Sequence, residues 1–331
     1  MNILVFEVST IESRTHLYSE GYNMLKSILF DLDQIKNYSV DYLINPKLKI
    51  SNLRQCNAIY ISDLDSWLNH NIHNYDCCLF IAPEDNLIQY TYTKFFEERE
   101  IEIIGSNSTA SYICTSKDRT YHEIDEDILK IPSIKLSKEE ITYDKINHIL
   151  TKQDIIIKPD SNTSSNNIYH IHTKQDLKNT INLIKKTDIE YFLIQQYIPG
   201  KSISVSALCN NNYIDIISIN SQEILENEKQ ITYEGCETPI NHPLENKIIN
   251  ISKKIIKSID GLKGFIGIDF IINEDDIYFV EINSRITTPY IVLQKVSEVN
   301  LTEALINLVL YSKETKINLK GKGKFYKENK K

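Results

Sequence analysis

Two apolar runs of strand length, at 264–272 and 278–285, flank the acidic stretch Asn273-Glu274-Asp275-Asp276 and limit how this chain can fold. Runs so rich in Ile, Val, Phe and Tyr read as the two strands of a hairpin, at least half-buried. Asp269, Glu281 and Asn283 stand inside them, where polar groups need a partner. If Glu274, Asp275 and Asp276 form a three-residue turn, Asp269 lies directly opposite Glu281, and cross-strand partners share a face. Side chains alternate with period two, so Asn283 and Arg285 fall on that face as well. Two carboxylates and an amide oxygen held together suit a hard cation such as Mg²⁺, and the neighbouring guanidinium suits phosphate. The plainer alternative is a surface hairpin laced with salt bridges.

The rest of the chain reads as two or three domains. Its 331 residues exceed the usual single-domain size, and 41% hydrophobic with 25% charged residues is a globular composition. No apolar run approaches the roughly 20 residues of a membrane span. The start, Met1 to Phe6 followed by Glu7, reads as a first strand rather than a signal peptide, which implies a cytoplasmic location. A net charge of -8 argues against nucleic acid as a partner. One basic run, Lys320 to Lys331, reads as a disordered or loosely docked tail. Six cysteines without a Cys-x-x-Cys spacing read as buried thiols, not as a zinc site or disulfide framework.

Over the first hundred residues short apolar strands (3–6, 40–44, 58–61, 77–82, 101–104) alternate with helical stretches, which favours a parallel α/β sheet. Met24, Leu25, Ile28, Leu29, Leu32 and Ile35 recur at helical spacing and give a crossover helix one buried face. No Gly-x-Gly-x-x-Gly follows the first strand, so this Rossmann-like half is not expected to bind a dinucleotide. Further on, a strand ends in Lys158-Pro159, and eight polar residues follow from Asp160 to Asn167. These read either as an ordinary hairpin loop or as a loop that covers phosphates. Lys117, then Lys158 with its polar loop, then Gln195-Gln196-Tyr-Ile198-Pro-Gly200, then Asp269, then Glu281-x-Asn283-x-Arg285 form an ordered set.

That set resembles the ATP-grasp superfamily of carboxylate–amine ligases, over roughly residues 105 to 290. The resemblance implies an α/β chain with an α+β ATP-binding part: a Rossmann-like domain at 1–105, a central lid subdomain at 106–197, a C-terminal subdomain with the metal site at 198–318, and the basic tail at 319–331. It implies ATP and Mg²⁺ (or Mn²⁺) as cofactors. Lys117 and Lys158 would meet the phosphates, and residues 160–168 would form a lid with Ser161, Ser164 and Ser165. Gln195, Gln196 and Ile198 would line adenine, the last two through backbone groups, and Ser202 would lie by the ribose. Asp269, Glu281 and Asn283 would hold the metal, and Arg285 would face the transferred phosphoryl group. Gln195 and Ser202 are neutral where the family usually carries acidic residues, and the lid has few of the family's glycines.

Phe6-Glu7, Glu20-Gly21, Ala82-Pro83-Glu84, Tyr233-Glu-Gly235 and Arg285-Ile-Thr287-Thr288-Pro-Tyr290 extend the likeness to a branch that joins an amino-acid carboxylate to an amine. On that resemblance Glu7, Glu20, Thr287 and Tyr290 are substrate candidates, with Arg14 and His16 near them. The partners implied are an amino acid and an amine, with no nucleic acid and no membrane, and a homodimer is an assembly left open. A phosphotransferase and a non-catalytic nucleotide-binding module are the alternatives to a ligase.

Overall fold

The computed structural model describes residues 1–12, 18–150, 152–161, 167–211, 213–227 and 230–327. The N-terminal alternation builds a parallel sheet from β1 (Asn2–Glu7), β2 (Ser39–Ile44), β3 (Cys56–Tyr60), β4 (Cys77–Ile81) and β5 (Glu102–Ile103), in the order β3-β2-β1-β4-β5. β1 is central, and its Ile3–Phe6 run is wholly apolar because both its faces are covered. Ile3 and Val5 pack under helix Tyr18–Leu32, through the expected Met24, Leu25, Ile28, Leu29 and Leu32, whereas Leu4 and Phe6 join a second core on the other face. The first of these cores runs on into Phe265, Tyr290, Leu301 and Leu305, so the N-terminal sheet shares its interior with the far end of the chain.

A second, antiparallel sheet contains β6 (Ser133–Ser137), β7 (Ile155–Pro159), β8 (Tyr169–Ile171) and β9 (Tyr191–Gln196), ordered β6-β9-β7-β8, with a core of its own. The third contains β10 (Lys201–Asn210), β11 (Tyr213–Asn227), β12 (Gln230–Thr238), β13 (Gly264–Asn273), β14 (Asp276–Asn283) and β15 (Gly323–Tyr326), ordered β14-β13-β10-β11-β12-β15. Helix Glu245–Ser258 covers this sheet with Ile248, Ile255 and Ile256.

Two expectations need correction. The turn between β13 and β14 has two residues, not three: Asn273 pairs with Asp276, and Glu274 takes a left-handed φ of 53°. That shorter turn shifts the ladder by one, but a bulge at Val280 restores the pairing of Asp269 with Glu281. The bulge also settles which way each side chain faces. Phe279 and Glu281, two residues apart, would share a face in a regular strand. The extra residue lets Phe279 pack on Phe270 in the core while Glu281 faces a cavity. The basic run is the second correction. Gly323–Tyr326 add a strand to the edge of β12, and Lys322 and Lys324 pair with Glu237 at 2.6 and 3.1 Å. The strand was missed because its pairing partner lies some ninety positions upstream, and tail composition carries no sign of it.

Candidate active site

The cavity has a volume of about 1290 Å³ and lies where the three sheets meet. Lys117, Lys158, Gln195, Gln196, Ile198 and Ser202 line it. So do Asp269, Glu281, Asn283 and Arg285, together with Glu7, Glu20 and Thr287. Tyr290 does not. It is wholly buried, its hydroxyl 2.6 Å from Thr302 Oγ1, and its proposed place at the substrate end is withdrawn because it is a core ring packed on Phe265. Ser161 is half-buried off the cavity wall, and Ser164, Ser165, Arg14 and His16 lie outside the described residues.

The cationic end is assembled by local capping. Ser116 caps helix Lys117–Glu123 by accepting from Arg119 N–H, and its hydroxyl donates to Asp160 Oδ2 at 2.7 Å. Asp160 also takes Asp118 N–H at 2.9 Å and the Lys135 ammonium at 2.8 Å, and its backbone oxygen accepts from Lys117 N–H at 3.1 Å. This one residue, just past β7, fastens the start of the helix to the end of the strand and so brings Lys117 and Lys158 to one place. Lys117 Nζ lies 2.9 Å from Glu281 Oε2. Burial presses the Lys158 ammonium down to about 8, Lys117's charge adds to that, and the nearby carboxylates oppose it.

At the acidic end, burial and then the neighbouring Glu281 raise the Asp269 carboxyl well above its ordinary range. Burial works to raise Glu281 too, but the charges of Lys117 and Lys158 outweigh it and hold that group low. Gln222 Nε2 donates to Asp269 Oδ1 at 3.1 Å, reaching across β10 where the facing residue is the small Ser204. Gly267 pairs with Asn283, and a Cβ on it would come within 2.6 Å of Thr287 Cγ2, so the glycine lets Thr287 close over this face. The donor set fits a hard divalent cation. Two half-buried carboxylates and an amide side chain share one face, and one of the carboxyls is driven to hold a proton when no cation balances it.

Arg285 is partly buried, with Nη2 donating to Glu84 Oε2 at 2.8 Å and Nη1 to Ile286 O at 3.0 Å, while its Nε has no hydrogen-bond partner. At the far end Glu7 accepts from Ser9 and Thr10 N–H at 3.0 and 2.8 Å, and burial raises its carboxyl to about 7 against those bonds. Glu20 accepts from Thr288 Oγ1 and pairs with Lys327, each at 2.7 Å. Gln195 Nε2 donates to Tyr121 Oη at 3.3 Å, and Gln196 N–H donates to Pro132 O, so its carbonyl is the backbone group it can offer a ligand. Sequence reasoning missed Gln222 and Lys327 as parts of the site, and it placed Asp160 in the lid, whereas its carboxylate is bonded to Ser116, Asp118 N–H and Lys135 at the base of the site. Glu84 sat in a quoted motif without a role.

A model of the ATP-grasp domain matches residues 114–289. The chain belongs to the ATP-grasp family. It is 31% identical over 330 residues to the tyramine–L-glutamate ligase of Methanocaldococcus jannaschii, covering 96% of this chain and 92% of that one. Among solved structures it resembles N5-carboxyaminoimidazole synthetase from Staphylococcus aureus complexed with ADP, with a TM-score of 0.72, 17% identity and coverage of 98% and 81%. It also resembles the biotin carboxylase domain of the Hydrogenobacter thermophilus 2-oxoglutarate carboxylase, in complex with ADP and its magnesium salt, with a TM-score of 0.73, 14% identity and coverage of 98% and 73%. An ATP-grasp ligase fold thus accounts for the whole chain, the Rossmann-like sheet included. Among the described residues no helix is long and apolar enough to cross a membrane.

Proposed function

We propose that this ATP-grasp ligase joins the γ-carboxylate of L-glutamate to tyramine, giving γ-glutamyltyramine, ADP and phosphate, a step of methanofuran biosynthesis. The observation that carries the substrate choice is the likeness to the M. jannaschii ligase along nearly the full length of both chains. In this reading ATP lies along the wall from Gln195, Gln196, Ile198 and Ser202 towards Lys117 and Lys158. Asp269, Glu281 and Asn283 hold Mg²⁺ or Mn²⁺, which when bound neutralises and aligns the phosphates. The γ-phosphoryl group passes to the substrate carboxylate, breaking the bond to the β-phosphate oxygen. The amine then attacks the acyl phosphate, and phosphate leaves as the amide forms.

The chain's own residues do the positioning. Lys117 and Lys158 balance the phosphate charge and Arg285, held by Glu84, meets the equatorial oxygens, so alignment and charge account for most of the acceleration. Glu7 and Glu20 offer carboxylates to the ammonium groups of amino acid and amine, and Lys327 offers a cation to the α-carboxylate. The same reading carries a cytoplasmic location and a homodimer, the latter to be measured by sedimentation. The test is a mass measurement of products from ATP, Mg²⁺ and L-glutamate against a panel of amines that includes tyramine. A γ-glutamyl amide formed with ADP and phosphate is expected. AMP with pyrophosphate, or ADP formed without any amine requirement, would refute the mechanism.

A further inference from the structure

A second group of metal-type side chains gathers where the β6–β9 sheet meets the end of β11. β7 and β8 pair with Ile155 opposite Ile171 and Ile156 opposite His170, and Asp154 and His172 flank the Ile155–Ile171 pair just outside the two strands. His170 and His172 are two apart in sequence and share a face, their ring centroids 3.7 Å apart. Asp154 Oδ2 lies 2.7 Å from His172 Nδ1 and 3.6 Å from His170 Nε2. One ligand atom from each of the three lies within 4.8 Å of the others.

The hydrogen-bonding state of His170 singles the place out. Its ring is 3% exposed and stacked on Tyr197, with centroids 3.8 Å apart, and its Nδ1 contacts Glu226 Oε1. A carboxylate only accepts, so the proton of the neutral ring sits on Nδ1 and the lone pair on Nε2. That Nε2 is buried, has no hydrogen-bond partner, and points towards Asp154 Oδ2 from beyond hydrogen-bonding distance. A lone pair facing a carboxylate oxygen is repulsive unless a cation stands between them. Ligands held at about 2.0–2.2 Å around a tetrahedral ion are roughly 3.3–3.5 Å apart. The His170–Asp154 gap already has that width, and the exposed His172 and Asp154 can part by the remaining fraction of an ångström.

We propose that Asp154, His170 and His172 form a binding site for a divalent transition-metal ion, with Glu226 orienting His170 from behind. Two imidazoles and one carboxylate select a Zn²⁺-type ion over Mg²⁺, which prefers oxygen ligands. A carboxylate on the outer nitrogen of a ligating histidine fixes its tautomer and sharpens its basicity. The ion would pin β8 to the start of β7, and the Glu226 contact with His170 ties that pair to the end of β11, apart from Asp269 and Glu281 and independently of which substrates the cavity takes.

The probe is Co²⁺, titrated into the full chain without a polyhistidine tag, stripped of metal and kept in excess Mg²⁺, and followed by visible absorption and calorimetry. One saturable equivalent with tetrahedral bands is expected, and Asp269→Asn should retain it. His172→Ala, at an exposed position, should abolish it with an unchanged circular dichroism spectrum, and Glu226→Gln should weaken it by about 10–100-fold. Absence of Mg²⁺-resistant Co²⁺ binding would overturn the site. Binding that survives both His172→Ala and Glu226→Gln, or that is lost in Asp269→Asn, would overturn it equally.

Discussion

Replacing Lys158 with methionine should make the ligand-free protein more stable. Lys158 is 6% exposed, and burial together with the Lys117 charge lowers its ammonium from the ordinary 10.5 to about 8. A base whose folded pKa lies below its unfolded value destabilises the fold wherever the unfolded chain would carry the proton. The penalty is about 3 kcal/mol at pH 7, and it fades as pH rises through 8 towards 10.5, to under about 1 kcal/mol at pH 10. Methionine keeps the length and apolar packing of the stem without the charge. The gain is trimmed because Glu281 loses one of its three cationic neighbours, although Lys117 remains 2.9 Å away. For a chain of 331 residues unfolding as a unit, the difference corresponds to a rise of roughly 4–5 °C in melting temperature at pH 7. Scanning calorimetry of both proteins at pH 7 and pH 10 should show that gap nearly close at the higher pH. Mg-ATP should raise the melting temperature of the wild type and leave the variant unmoved. A variant less stable at pH 7, or a gap that is independent of pH, would refute the account of Lys158 as a charge held in readiness for phosphate.

Asp269→Asn should abolish product formation yet raise the melting temperature of the ligand-free protein, because it removes the carboxyl that desolvation and then Glu281 drive up; calorimetry beside the product assay reads both effects. Asp160→Ala leaves Lys135 only its longer pairing with Asp118 at 3.7 Å and frees Ser116 and Asp118 N–H, and should cost about 1–3 kcal/mol in urea unfolding while weakening nucleotide affinity measured by calorimetry. Gly21→Ala places a Cβ 2.3 Å from Glu7 Oε2 and should cost about 1–3 kcal/mol, with KM for the amino acid rising more than KM for ATP. Lys327→Ala should leave the fold intact and raise KM for the amino acid, since the ammonium leans on Glu20 at the substrate end; an unchanged KM would remove Lys327 from the site.

What the sequence determined by itself was what local pattern encodes. The parallel N-terminal sheet was legible because β1 and β4 are apolar on both faces, and the helix over Met24–Leu32 because one stripe recurs at helical spacing. The order of Lys117, Lys158, Asp269 and Glu281 along the chain points to a phosphate and metal site. Tertiary structure decided the rest, wherever the controlling contact is distant in sequence. The pairing of Asp269 with Glu281 depends on a two-residue turn compensated by a bulge, two departures that cancel and that no alternation pattern reveals. Tyr290 stands three residues beyond Thr287 yet points into the core, because a helix beginning there turns its ring onto Phe265. The basic run becomes a strand only because β12 offers an open edge, and that edge brings Lys327 to Glu20 across the whole length of the chain. Charge and hydropathy are properties of single residues, whereas which of them are buried and which charges meet is set by the packing of elements far apart in sequence, and at this site burial first and those meetings second push Lys158 and Asp269 away from their ordinary ranges.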